Sequence, residues 1–321
     1  MTQNTRSRTP WRTMILVAAL AATGLGGSAH AGGITEIVAF GDSLSDVGNT
    51  YLAINYPSSP PYYPGVYSNG PNWIQLLAGK LGVATPTPSL ALGTDYAWGG
   101  AESGAGLSFM GTPNLGLQVD TFLASHNPNA SQLLTVWAGA NDFLNAGQTD
   151  PTVVVANIAG AISALAGAGG THFLVPNLPL LGELPATNGL PQPMRDALDG
   201  LTLAFNGLLQ AEVSNLSQTL GVSITYLDVN GEFGKIIADP AAFGLTNVTD
   251  ADPRSIGGAA DGQAHLFWDT VHPTTVVHEV IAQAAFNAVV PEPSSFALLA
   301  IAGTGLSVHL GVGAARRRKA A

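Results

Sequence analysis

The stretch "VAFGDSLSDVGN", Val38 to Asn49, sets a serine where it could do chemistry: Ser43 comes three residues after an apolar run and lies between Asp42 and Asp46. Loops at the carboxyl ends of strands are where α/β folds expose their sites. The same residues also suit a simple turn, because Asp42, Ser43 or Ser45 could cap whatever follows. A serine hydroxyl becomes a nucleophile only when a base takes its proton and a third group orients that base. Seven histidines are available. His30 and His309 fall in the terminal segments, His126 and His172 flank elements without acidic neighbours, and His265 precedes "LFWD". His278 sits beside Glu279 in the last helix pattern and reads as a surface residue. Only His272, in "FWDTVHPTT", has an acidic residue three positions earlier, Asp269, and a following proline, Pro273, that stiffens the turn. Such a turn brings carboxylate and imidazole to one side of a loop. Its structural alternative is helix capping by Asp269 or Thr270, with His272 as a solvated neighbour. No G-x-S-x-G elbow occurs, which argues against the common α/β-hydrolase arrangement.

Metal chemistry is not indicated. "HEVIA" lacks the second histidine of an H-E-x-x-H zinc site. The aspartates from Asp250 to Asp261 do not follow a calcium-loop spacing and read as a solvated acidic loop.

The elements that must position these residues alternate in kind. Strand candidates are "ITEIVAF" (34–40), a weaker "TDYAW" (94–98), "LLTVWAG" (133–139), "HFLVPN" (172–177) and "SITYLDV" (223–229). Runs this apolar suggest strands covered on both faces, as in a parallel sheet. Helical patterns fall between them. "PNWIQLLAGKLG" opens with Pro71 near a first-turn position and stops at Gly82; others lie near 115–125, 152–167, 192–220 and 274–289. The alternation predicts a three-layer α/β domain over residues 32–290 with no linker or repeat to divide it. The Pro- and Tyr-rich stretch 55–70 reads as an ordered surface loop beside the site, with Tyr62, Tyr63 and Tyr67 available to line a groove.

Four segments, "FGDSLSD", "GTDYAWGGA", "GANDF" and "FWDTVHPT", occur in the order and positions of the four blocks of GDSL-type SGNH hydrolases, and the chain resembles that family from about residue 35 to 289. "YSNGPNWIQLLA" and "FLVPNLPLLGELP" add likeness to its bacterial lipase, esterase and phospholipase branch. The resemblance implies a three-layer α/β/α sandwich with a mostly parallel five-stranded, flavodoxin-like sheet. It also implies a carboxylic ester hydrolase with Ser43 as nucleophile, His272 as general base and Asp269 as its orienting acid. The oxyanion donors would be the backbone N–H groups of Ser43 and Gly100 and the side-chain amide of Asn141. Residue chemistry agrees: Gly100 lets backbone approach a substrate oxygen, and Asn141 follows the central strand candidate. Outside the blocks, a tight turn at Gly100 and an Asx-turn at Asn141 would be the favoured reading of both. Asp46 and Asn49 then support the Ser43 loop, and Asp142 orients the Asn141 loop. No metal or organic cofactor is required. The substrate is an ester of a lipid or an acylated sugar; the alternatives are a carbohydrate O-acetylesterase acting on extracellular polysaccharide and a non-catalytic surface protein on the same fold.

Both ends carry processing signals. Residues 1–31 combine Arg6, Arg8 and Arg12 with the apolar run "MILVAALAA" and "SAHA", the order of a secretory signal peptide. Residues 291–321 combine "PEP" with an apolar stretch, Phe296 to Ala315, and then Arg316, Arg317, Arg318 and Lys319. At about 1.5 Å per residue that stretch covers ~30 Å as a helix, enough to span a bilayer core. These parts resemble the PEP-CTERM sorting signal of exported Gram-negative proteins. The resemblance implies an exosortase-type processing enzyme as partner, transient anchoring in the inner membrane, and then a cell-surface or secreted location with an extracellular matrix as a second partner. Between leader and span only Lys80, Arg195, Lys235 and Arg254 oppose all 21 acidic residues, a net charge of −17. Such a surface repels nucleic acid and anionic membranes. Cysteine is absent, so stability must come from the core.

Overall fold

The computed structural model describes residues 33–290. The predicted leader, and the tail from Pro291 with its Phe296–Ala315 span, lie outside the described residues. Among the described residues no helix is long and apolar enough to cross a membrane.

Four strands form one parallel sheet in the order β1 (Glu36–Gly41), β2 (Gln132–Trp137), β3 (His172–Pro176) and β4 (Ser223–Leu227). Val38 lies opposite Leu134, Leu134 opposite Phe173, and Phe173 opposite Ile224. Every residue of β2 is buried, as expected of a strand covered on both faces, whereas β4 is half-exposed along the sheet edge. The expected fifth strand, 94–98, is not a regular strand. It runs alongside β1 through bonds from Ala39 N–H to Thr94 O (3.0 Å), Tyr96 N–H to Ala39 O (2.7 Å) and Trp98 N–H to Gly41 O (3.1 Å). Asp95, turned into the interior, and the glycine pair that follows interrupt it, so only isolated bridges form. With this segment counted, the spatial order is the flavodoxin-like one, in which the chain leaves β1 in one direction and β2 in the other. The crevice between their carboxyl ends is where such folds bind ligands.

Helices cover both faces. On one side α2 (Trp73–Leu81) packs against α8 (Thr275–Val289); on the other α3 (Leu115–Leu123) packs on α5 (Pro151–Gly167), and α5 on α6 (Gln192–Leu220). Helix α2 begins two residues after the proline that suggested its first turn. Asn72 is the N-cap, closing a reciprocal capping box with Gln75, and Gly82 ends the helix in the left-handed region. Between the layers Trp73 meets Trp137 edge-on at 5.4 Å, and Phe40 contacts both Tyr96 and Phe122. Each large side chain fully buried here contributes about 1.5–3 kcal/mol.

Two devices fix the end of β1. The Gln118 side chain on α3 accepts from Gly41 N–H (2.8 Å), which has no backbone partner, and donates to Gly41 O (2.8 Å), which also receives Trp98 N–H. Gly41 itself has φ +146°, and a Cβ there would stand 2.1 Å from Trp137 O. A short parallel pair, β5 (Asn247–Ala251) and β6 (His265–Phe267), lies outside the main sheet and delivers residues 268–274 to its carboxyl edge.

Candidate active site

Ser43 stands two residues past β1 in a turn organised by its neighbour. The Asp42 carboxylate accepts from Leu44 N–H (3.0 Å) and its carbonyl from Ser45 and Asp46 N–H (3.0 Å each). The Ser43 N–H is left without a partner among the described residues. Asp46 is buried and accepts from Gly48, Asn49, Thr50 and Gly99 N–H and from the Thr50 hydroxyl. The Asn49 amide donates to the carbonyls of Asp95 (2.8 Å) and Ala97 (3.0 Å), and the Asp95 carboxylate accepts from Val47 and Ala97 N–H. The Ser43 loop and the 95–100 segment are thereby one hydrogen-bonded unit, as the supporting roles of Asp46 and Asn49 led one to expect.

That unit carries Gly100 to the crevice. Its φ of +76° is a conformation side chains rarely adopt, and its N–H also has no partner among the described residues. From the other flank, α4 (Ala140–Leu144) follows β2 and bears Asn141. The Asn141 amide donates to Ala101 O (2.9 Å) and its oxygen accepts from Asn145 (2.7 Å), which fixes the flip and leaves one amide hydrogen over. Asp142, next in sequence, accepts from the N–H (2.8 Å) and hydroxyl (2.6 Å) of Ser103, binding α4 to the loop beyond Gly100.

The turn after β6 supplies the remaining groups. Asp269 Oδ1 accepts the backbone N–H of Val271 (2.8 Å) and His272 (2.7 Å), while its Oδ2 faces His272 Nδ1 at 2.7 Å. His272 Nε2 lies 2.7 Å from Ser43 Oγ. With Nδ1 protonated toward the carboxylate, Nε2 is the acceptor for the serine proton. Ser43, Gly100, Asn141 and His272 all line one cavity of about 380 Å³. Away from them its wall is mostly apolar, with Phe109, Met110, Phe143, Leu178, Leu181 and Leu198, and with Thr187 and Asn145 as polar members.

Electrostatics separate the acidic groups. Burial alone would raise Asp269, but the charge and N–H of His272, with two backbone N–H donors, hold it well below the usual carboxylate range. Burial likewise presses His272 down; the Asp269 carboxylate outweighs it, with help from Asp42, and the imidazole sits above its ordinary value. Asp42 has no cationic partner other than His272, and burial pushes it up to about 7. Asp46, Asp95 and Asp142 are raised for the same reason, burial. The arrangement can take a proton from a serine oxygen, steady the imidazolium that results, and offer three N–H groups to a nearby negative oxygen.

Some expectations need correcting. His278 is not a surface residue: it is buried on the inner face of α8, and burial, then the nearby His272, push it down to about 3. Of the tyrosines, Tyr67 lines the cavity, joined by Tyr56, whereas Tyr63 does not and Tyr62 binds Asp269 instead. The 250–261 stretch is only partly solvated. Asp252 is buried against Arg254, and Asp261 meets His265 at 2.9 Å. Among the described residues no group of three or more His, Cys, Asp or Glu side chains could hold a metal ion. The sequence reading missed Gln118, Asp95 and the contact of Tyr62 with Asp269. Each acts across a gap that no local spacing records, although the run of tyrosines at 62–67 was a signal that the loop faces something.

Comparison with known proteins places these residues in context. A family model described as GDSL-like Lipase/Acylhydrolase matches residues 37–285. The phosphatidylcholine-sterol acyltransferase of Aeromonas hydrophila is 28% identical over 308 residues, covering 78% of this chain and 89% of that one. The thermolabile hemolysin of Vibrio parahaemolyticus is 27% identical over 273 residues, covering 78% of this chain and 62% of that one. Among solved structures, a carbohydrate acetylesterase family member from Sinorhizobium meliloti aligns with a TM-score of 0.47 at 14% identity, over 80% of this chain and 97% of that one.

Proposed function

The chain belongs to the GDSL-like lipase/acylhydrolase family and is an ester hydrolase, and from that premise we propose that it is an exported serine esterase whose preferred substrates carry an aliphatic acyl chain. The observation that carries the reading is the unbroken chain of contacts from Ser43 Oγ through His272 to Asp269, each 2.7 Å, at the mouth of an apolar cavity.

In this mechanism His272 Nε2 takes the Ser43 proton as Oγ attacks the ester carbonyl. Asp269 stabilises the imidazolium and keeps its ring in place. The oxyanion is received by the N–H groups of Ser43 and Gly100 and by the remaining amide hydrogen of Asn141. His272 then protonates the leaving alcohol, and a water molecule deprotonated by the same imidazole releases the acid from Ser43. The chemistry needs no metal.

The cavity supports the choice of acyl group. Its volume falls in the range of small-ligand pockets, and most of its lining is leucine, phenylalanine and other apolar side chains, against which a sugar's hydroxyls would lose hydrogen bonds to water. A buried methylene contributes about 0.8 kcal/mol, so kcat/KM should climb up to ~4-fold per added carbon until the cavity is full. Export rests on the leader of residues 1–31, and processing by an exosortase-type enzyme on the PEP-CTERM-like tail. A mature product lacking residues 291–321 by mass would be the sign of that processing.

The test is a panel of esters, from nitrophenyl acetate to octanoate, with lecithin and acetylated xylan beside them, run on the protein and on Ser43→Ala. The expected result is a rate that rises with acyl length and no turnover by the variant. Turnover that Ser43→Ala retains would remove the nucleophile. Preference for acetylated xylan would replace the aliphatic ester with a carbohydrate one.

A further inference from the structure

Asp269 Oδ2 accepts a second hydrogen bond besides that of His272. The Tyr62 hydroxyl, 207 residues earlier in the chain, donates to it at 2.8 Å. With Val271 and His272 N–H on Oδ1, the carboxylate accepts four hydrogen bonds, about as many as its lone pairs allow. We propose that Tyr62 is a positioning residue that sets the basicity of His272 by sharing the Asp269 oxygen on which the imidazole leans.

The Tyr62 loop is built for that contact. The Tyr62 ring stands edge-on to Trp268, the residue before Asp269, with centroids 6.0 Å apart and planes at 89°. The loop is fastened to the same turn through Ser68 Oγ to Pro273 O (2.8 Å) and through Thr275, whose N–H reaches Asn69 Oδ1 (2.9 Å) and whose hydroxyl reaches Pro71 O (2.8 Å). Burial, then the Asp269 charge, raises the Tyr62 hydroxyl well above the phenol range, so it remains a donor wherever the enzyme works. A donor that stabilises the carboxylate weakens its hold on the imidazolium, so Tyr62 draws His272 down and keeps more of it in the basic form near neutral pH. The other groups around His272 are Asp42 beneath it, His278 on α8, and the Tyr67 ring at 5.0 Å; Tyr67 also faces Asp269. None of these is altered by Tyr62→Phe, which also keeps the ring against Trp268.

This inference rests on His272 as the base, and its test reads the imidazole both with and without catalysis. In Tyr62→Phe the titration midpoint of His272, followed by nuclear magnetic resonance, should rise by roughly half a unit, and the acid limb of kcat/KM should rise with it. Tyr62→Leu, which loses the ring as well, should lower stability further without moving the midpoint beyond that of Tyr62→Phe. An unmoved imidazole midpoint in Tyr62→Phe overturns the inference even if the rate or melting temperature falls. A midpoint that moves while the acid limb of kcat/KM stays still keeps Tyr62 and sinks His272 as the base.

Discussion

Asn141 is where holding a loop and acting on substrate can be told apart. Its amide uses one hydrogen on Ala101 O, and the second is free to meet an oxyanion. Asn141→Ala should therefore lower kcat by roughly 10²–10³ with KM changed little, since an oxyanion donor acts on the transition state and hardly at all on the ground state. A loss confined to melting temperature, with kcat within a few-fold, would leave Asn141 as a turn residue only. At this scale the sequence was legible where chemistry is local. Ser43 is flanked by Asp42 and Asp46, and His272 has Asp269 three residues behind it. Gly100 and Asn141 became legible only through the family blocks, because their types also make ordinary turns. Tyr62 was not legible in its role: a hydroxyl that meets a carboxylate 207 residues away leaves no spacing to read.

Elements with strong periodicity or end signals were read nearly to the residue, α2 from Pro71 and Gly82 and α6 as a helical pattern over 192–220. Those without them were not. Segment 94–98 carries strand-like residues, yet Asp95 must face inward to receive Val47 and Ala97 N–H, and that demand overrides the ladder. Helices α1 (Asn49–Ile54) and α4 are single turns set by what their first residues hold, and the β5–β6 pair exists to present the Asp269 turn. Asn49 shows how much one such residue secures. Its side chain donates to Asp95 O and Ala97 O and accepts from Ser89 Oγ and Leu90 N–H, all at 3.1 Å or less. Asn49→Ala strands those groups in a buried setting at a cost of about 2–3 kcal/mol, or ~5–10 °C in melting temperature. Because the same bonds carry the chain toward Gly100, kcat should fall with stability. A variant as stable as the parent would show that the Asp46 and Asp95 bonds hold the two loops together without Asn49.

Over the whole molecule, the buried ionisable groups pull stability in opposite directions with pH. Asp42 ordinarily titrates near 3.8 and in the fold at about 7. Between those values the unfolded chain has released a proton that the folded chain keeps, so stability falls as pH rises. His278 ordinarily titrates near 6.5 and in the fold at about 3. Between these the unfolded chain holds the extra proton, so stability rises with pH. Each effect is on the order of 4 kcal/mol at full extent, and they oppose each other from about pH 4 to 6.5. These two contributions therefore nearly cancel over that range, and the raised Asp46, Asp95 and Asp142 add a fall in stability as pH rises, which continues above it as Asp42 loses its proton and the benefit of the raised His272 is lost. Asp42→Asn keeps an acceptor for Leu44 N–H and removes only the charge. Its melting temperature relative to the parent should be near zero difference at pH 4 and grow steadily more positive to pH 8. A constant difference across that range would mean that Asp42 is ionised in the fold throughout, and that the cavity floor holds its negative charge at no cost to the enzyme.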